Sequence, residues 1–130
     1  MKVQLYAHPD CWLFSVEHEE DFESFGCGPG GIGDWLVPDT IYGLDISPAC
    51  RIHDWYYRFW PEDSEEARAK ADRIFKNNLL RIVRAKTSNR LLLRVRKIRC
   101  NTYYLMVRKF GAGAFYEDRN TEEFMREVEV

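Results

Sequence analysis

The stretch Cys50-Arg-Ile-His-Asp-Trp-Tyr-Tyr57 lies between a helix start and a helix stop, and it places a histidine directly before an aspartate. Ser47 followed by Pro48 is typical of a helix N-terminus, with serine as the N-cap and proline in the first turn. Pro61 cannot continue a helix, so this helix is predicted to end at about Trp60. The stretch is therefore expected to lie on a single helix.

Three side chains of this helix carry chemistry on one face. Cys50, His53 and Tyr57 follow one another at spacings of three and four residues, whereas Asp54 lies about 100° round the axis. A neutral histidine is the side chain best suited to accept a proton near neutral pH. Its second ring nitrogen needs an acceptor that fixes the tautomer, and Asp72 on the next helix is the candidate.

The rest of the chain predicts further helices. Asp63 or Ser64 is expected to cap a second helix that reaches about Ala85, because its apolar residues follow helical spacing. A third helix is predicted over Leu91–Phe110, ending at Gly111. Residues 1–25 favour one short helix among irregular segments. The predicted fold is mainly α, one domain over residues 1–130, with two to three long helices.

A glycine cluster precedes the histidine helix. Gly26-Cys-Gly-Pro-Gly-Gly31 opens a segment, residues 26–46, that is predicted to be loop throughout. Loops of this length inside a compact domain are usually functional. Backbone carbonyls of a glycine loop can converge on a hard cation, and Ca²⁺ prefers six to eight oxygen ligands. Asp54 would add the negative charge that carbonyls lack, so the sequence predicts calcium-assisted hydrolysis by an activated water.

Charge is segregated along a chain whose formal net charge is only −2. Residues 1–24 and 117–130 each hold six acids, while Arg81–Lys109 holds ten Lys or Arg and no acid. Such a block favours an anionic surface as partner, whether phospholipid or nucleic acid. The alternative is a solvated face balanced by the acidic ends.

Targeting and cysteine signals are sparse. The N-terminus has no apolar run typical of a secretory signal, and no stretch approaches the length of a membrane span, so a soluble chain is expected. Four cysteines allow three pairings, and nothing in the spacing demands a bridge between Cys11 and Cys100. A zinc site is poorly supported, because no Cys-x-x-Cys or His-x₃-His pair occurs.

The glycine cluster and the histidine helix together resemble the secreted phospholipase A2 superfamily. Cys27-Gly-Pro-Gly-Gly31 is similar to that family's calcium loop, and Cys50-Arg-Ile-His-Asp followed by Tyr57 is similar to its catalytic helix. The stretches Ala71–Leu79 and Asn101–Gly111 resemble helices of bacterial, viral and phage-encoded members. The strong part of the resemblance covers residues 25–60.

The resemblance implies a role for each matching residue. His53 would activate the water that attacks the sn-2 ester of a phospholipid, Asp72 would orient His53, and Tyr57 would support the aspartate. Cys27 and Cys50 would form a disulfide that ties the loop to the helix. The Ca²⁺ ligands would be the carbonyls of Gly26, Gly28 and Gly30 and the carboxylate of Asp54. The N–H of Gly28 would donate a hydrogen bond to the oxyanion.

The chain departs from the family pattern in its loop. Gly26 stands where animal members have an aromatic residue, and the segment up to Cys50 is longer than theirs, so that Asp34 or Asp39 could join the metal site. The absence of a signal is shared with viral capsid members, which act from inside a particle. The alternative function is a non-catalytic module with the same fold that binds anionic membrane or nucleic acid. A third option is a structural component of a virus or phage particle that carries the activity for membrane passage.

Several apolar side chains have two interpretations. They could form a rim that contacts lipid headgroups, or they could pack in the core, and the sequence favours core packing for most of them. Trp35 and Leu36, inside the loop, are the two that are most expected to be exposed. The full set is Trp12, Leu13, Phe14, Trp35, Leu36 and Trp55.

Overall fold

The computed structural model describes residues 2–25, 37–118 and 127–129, and this part of the chain is mainly α-helical. It contains three long helices, as the sequence predicts, together with three short helices and one two-stranded sheet. In chain order the elements are α1 (Pro9–Glu17), α2 (Glu19–Ser24), β1 (Thr40–Ile41), β2 (Leu44–Asp45), α3 (Ser47–Phe59), α4 (Glu65–Lys86), α5 (Arg90–Phe110) and α6 (Ala112–Asp118).

Side-chain caps fix the starts of α4 and α5. Ser64 accepts a hydrogen bond from the backbone N–H of Ala67 at 3.1 Å, and Asn89 accepts one from Leu92 at 3.0 Å. Each bond satisfies a backbone donor that the first helical turn leaves without an intrahelical partner. Both helices begin within about a residue of their predicted starts, and α5 ends at Phe110 as predicted.

The predicted cap of α3 was wrong by one residue. Ser47 is the first helical residue, and Ile46 occupies the cap position without a side-chain bond. Asp45 accepts instead, from the backbone N–H of Ser47 at 2.9 Å and from its hydroxyl at 2.5 Å. An aspartate that accepts from the backbone two residues ahead makes this turn, so that Ser47 is a donor here and not the capping acceptor.

Residues 2–25 contain two short helices, α1 and α2, where one was expected. Two further elements were not predicted. Residues 40–45 form a hairpin with Tyr42 (φ 45°) and Gly43 (φ 81°) at its tip, where the sequence analysis expected loop. A two-residue turn with both φ angles positive matches the twist of short antiparallel strands. The second is α6, whose buried Phe115 packs edge-on against the ring of Tyr57 at 5.1 Å.

Contacts with α5 hold the hairpin in place, because its strands of two residues are too short to be stable alone. The hydroxyl of Tyr103 donates to the carbonyl of Thr40 at 2.9 Å, and Arg96 donates to the carbonyl of Tyr42 at 2.8 Å. Arg99 donates to the Tyr42 hydroxyl at 2.7 Å and lies over its ring. Arg96 and Arg99, which belong to the basic segment Arg81–Lys109, therefore help to hold the hairpin in place.

Helix α4 packs between α3 and α5, and α4 and α5 run antiparallel, since contacts join the start of each to the end of the other. His53 and Tyr57 of α3 contact Asp72 near the middle of α4, and Arg68 near the start of α4 contacts the last turn of α5. The core between them is built from buried side chains that include Ile41, Ile46, Ile52, Phe75, Leu79, Val83, Tyr103 and Val107.

The N-terminal segment is tied to α4 by a buried amide. Asn78 accepts from the backbone N–H of Tyr6 and donates to its carbonyl, both at 2.8 Å.

The prediction of core packing is confirmed for Trp55, which is 5% exposed, but it was wrong for Trp12 and Leu13, which are 40% and 55% exposed. They lie on the short helix α1, which buries only Cys11.

No described helix combines the length and the apolar composition that crossing a bilayer would require.

The described cysteines Cys11 and Cys100 are both buried free thiols, so the bridge considered between them is not formed. Burial raises the pKa of Cys11 to about 12 and that of Cys100 to about 11. Cys27 lies outside the described residues, and its disulfide with Cys50 stays a prediction.

Candidate active site

His53 lies in the middle of α3 against α4, in the position that the sequence predicts. It is 8% exposed, and its ring packs between the rings of Tyr57 at 4.2 Å and Phe75 at 4.5 Å. Its Nε2 atom is 2.7 Å from Oδ1 of Asp72. The contact between His53 and Asp72 that the sequence analysis proposed is therefore present.

This contact determines the tautomer of the neutral imidazole. An ionised carboxylate only accepts hydrogen bonds, so the nitrogen that faces Asp72 must carry the proton. Nε2 is then the donor, and Nδ1 keeps the lone pair that can accept a proton from a water molecule. Asp72 thus orients the His53 ring, with Nδ1 as the nitrogen that carries no proton in the neutral form.

Asp72 is completely buried, and it is held from three helices. Its Oδ1 atom accepts from His53 and from the Tyr57 hydroxyl, the latter at 2.6 Å. Its Oδ2 atom accepts from Arg108 Nη1 at 2.7 Å, and Arg68 Nη1 lies 3.6 Å away. A buried carboxylate requires this degree of pairing, since an unpaired charge would cost several kcal/mol.

The pairing keeps Asp72 ionised. Burial acts to raise the pKa of its carboxyl, but the hydrogen bonds from His53, Tyr57 and Arg108 outweigh burial and lower the pKa below its ordinary value. Burial raises the pKa of Tyr57, with a further contribution from the negative charge of Asp72, so the phenol remains a donor at every physiological pH. The dyad therefore joins the His53 ring to a carboxylate that stays charged.

Two arginines were missed by the sequence analysis. Arg68 donates from Nε and Nη2 to both oxygens of Glu65, at 2.9 and 2.7 Å, and from Nη1 and Nη2 to the carbonyls of Val107 and Arg108, at 3.0 and 3.1 Å. The order Glu65, Arg68, Asp72 on one helix, at spacings of three and four, was a signal that could have revealed Arg68. No comparable local signal marks Arg108, which reaches the site from α5.

Gly111 lets the end of α5 approach the tyrosine. A Cβ atom at this position would lie 2.8 Å from the Tyr57 hydroxyl and 2.4 Å from the carbonyl oxygen of Val107. The backbone of Gly111 is right-handed, with φ −80°, so the need for glycine comes from the close contact rather than from the dihedral angle. Any side chain here would push against the hydroxyl that bonds Asp72.

Only one of the proposed calcium ligands can be located. Asp54 follows His53 on α3 and is 3% exposed, and a buried carboxylate oxygen is a donor that Ca²⁺ prefers. Gly26, Gly28, Gly30 and Asp34 lie outside the described residues, and the side chain of Asp39 is exposed. Across residues 2–25, 37–118 and 127–129, no three His, Cys, Asp or Glu side chains cluster as a metal site. A site of carbonyls and one carboxylate would contain no such cluster.

No protein-family model, curated protein or solved structure matches this chain. The residues of the chain and their geometry are therefore the basis for a functional assignment.

Proposed function

We propose that the protein is a phospholipase A2-like hydrolase that cleaves the sn-2 ester of glycerophospholipids in the presence of Ca²⁺. The observation that carries the proposal is the buried contact of 2.7 Å between His53 and Asp72. This contact joins two helices whose sequences, together with Cys27-Gly-Pro-Gly-Gly31, resemble that superfamily.

The chain's own groups account for the proton transfers. His53 Nδ1 takes a proton from a water molecule as the water oxygen forms a bond to the ester carbonyl carbon. Asp72 stabilises the imidazolium that results, and the imidazolium then returns the proton to the departing alkoxide. The products are a free fatty acid and a lysophospholipid.

Asp54 and the carbonyls of Gly26, Gly28 and Gly30 would hold the calcium ion, and the oxygen donors fit a hard cation. The bound ion would supply positive charge that stabilises the oxyanion of the tetrahedral intermediate. The backbone N–H of Gly28 would add a hydrogen bond to the same oxygen.

Fatty-acid release from phospholipid vesicles with added Ca²⁺ tests the proposal. His53→Gln should lower the rate at least about 100-fold, because general-base catalysis contributes about that much. His18→Gln is the matched control, since His18 lies exposed at the junction of α1 and α2. Equal rates for the two variants, or no release by the wild type, would refute the enzyme assignment.

A second candidate function is suggested by the outer face of α5. Leu91, Ile98 and Leu105 are 73%, 61% and 55% exposed and follow one another at intervals of seven residues, with Arg94 and Lys109 on the same face. An aliphatic row flanked by cations suits an anionic bilayer surface. In the non-catalytic alternative, salt-sensitive binding to anionic vesicles would depend on Ile98 and be unchanged by His53→Gln and by chelator.

A further inference from the structure

The orientation of the Asp72 carboxylate depends on both of its oxygens. Oδ1 serves His53 and Tyr57, and Oδ2 is bonded by Arg108 at 2.7 Å. A carboxylate bonded at one oxygen can still rotate about its Cβ–Cγ bond, which is a soft torsion. The bond from Arg108 opposes this rotation and keeps Oδ1 directed at the imidazole.

Arg108 is itself fixed by a second carboxylate. Its Nη2 atom donates to Oε1 of Glu65 at 2.6 Å, so its planar guanidinium spans an exposed acid and a buried acid. Glu65 is in turn bonded at both oxygens by Arg68, which also donates to two carbonyls in the last turn of α5. The fork of an arginine is suited to two acceptors at once, and the single ammonium of a lysine is not.

We propose that Arg108 is a positioning residue for His53, acting through Asp72, and that Glu65 anchors it. The proposal rests on the proposed hydrolytic function, in which Asp72 holds the Nε2–H tautomer of His53. The side chain of Arg108 bonds Asp72 and Glu65 rather than the His53 ring, and it places its charge where it partly neutralises Asp72. Its contribution is therefore orientation, supplied by the geometry of the fork.

Kinetic constants of three variants on phospholipid vesicles test the role of the fork. Arg108→Gln should lower kcat about 10- to 100-fold with little change in KM, as removal of an outer hydrogen-bonding partner typically does. Arg108→Lys keeps the charge but not the fork, and should restore part of kcat. Arg73→Gln is the matched control, since Arg73 follows Asp72 on α4, carries the same charge and is exposed; it should behave as wild type.

The ¹⁵N chemical shifts of the neutral His53 ring provide a readout that does not require activity. The wild type and Arg73→Gln should show the Nε2–H tautomer, and Arg108→Gln should show a mixture of both tautomers. Glu65→Gln, which leaves Arg108 in contact with Asp72, should show a smaller fraction of the second tautomer. This variant replaces Arg108→Gln in the test if Arg108→Gln does not fold.

The outcomes separate the two proposals. A wild type without lipase activity refutes the hydrolytic function, and the ring shifts still decide whether Arg108 positions His53. An unchanged tautomer in Arg108→Gln, or a kcat equal to that of Arg73→Gln, would overturn the positioning role. Full recovery in Arg108→Lys would overturn the requirement for the fork.

Discussion

Asp72 is the residue on which the proposed chemistry and the local stability both depend. It is fully buried, it is ionised, and its oxygens meet groups from three helices. Removing one partner of a buried ionic network leaves the others desolvated and unpaired, and this usually costs more than the network contributes. The charge of Asp72 should therefore matter for folding as well as for orienting His53.

Asp72→Asn is expected to lower the free energy of unfolding by about 3–5 kcal/mol, because the mutation removes the negative charge that Arg68 and Arg108 share. Urea denaturation measures this loss. In the double variant Asp72→Asn with Arg108→Gln, part of the stability should return, since a cation that has lost its buried partner is gone. A double variant that loses the sum of the two single effects would contradict the coupling between these residues.

At the scale of the element, the long helices were predictable from local signals and the tertiary contacts were not. Ser64 and Asn89 are side-chain caps, and Pro61 stops α3, so the helix bounds could be read within about two residues. The histidine motif located His53, and the apolar spacing of α4 located Asp72. Arg108 lies 36 residues beyond Asp72, and nothing in its neighbourhood marks it as a partner.

The hairpin and α6 were missed for a related reason. Strands of two residues carry too little pattern to be recognised, and Arg96 and Tyr103 of α5 hold them in place. The seven residues of α6 follow directly after Gly111, and they are held by the burial of Phe115 against α3. Both elements depend on contacts that are distant in sequence.

Gly111→Ala tests the close approach of α5 to Tyr57. We expect a loss of about 1–3 kcal/mol in the free energy of unfolding, as is typical when a methyl group is forced into a filled site. In a Tyr57→Phe background the cost should be smaller, because the hydroxyl at 2.8 Å is absent. An equal cost in both backgrounds would show that this hydroxyl is not the obstacle.

At the scale of the whole molecule, Glu65, Arg68, Asp72 and Arg108 form one ionic network where α3, α4 and the end of α5 converge. The pKa of Glu65 is lowered to about 2 by its hydrogen bonds with Arg68, with a further contribution from Arg108, and the pKa of Asp72 is also lowered. A carboxylate with a lowered pKa in the folded state stabilises the fold above its unfolded value of about 4, and this stabilisation is lost as pH falls towards the folded value.

The free energy of unfolding should therefore lose this contribution as pH falls from about 5 towards 2, and Glu65→Gln should reduce the slope in that interval. Urea denaturation at a series of pH values measures both curves. The control is Glu66→Gln, whose acid lies exposed beside Glu65. Identical slopes for wild type and Glu65→Gln would contradict the role of the arginine pairs.

The most direct measurement is mass-spectrometric analysis of the fatty acids released from vesicles whose sn-1 and sn-2 chains differ in length. We expect the wild type to release the sn-2 chain when Ca²⁺ is added, to stop when a chelator is added, and to lose this activity in His53→Gln. Release of both chains equally, release that continues with chelator, or release that survives in His53→Gln would contradict calcium-dependent hydrolysis by the dyad of His53 and Asp72.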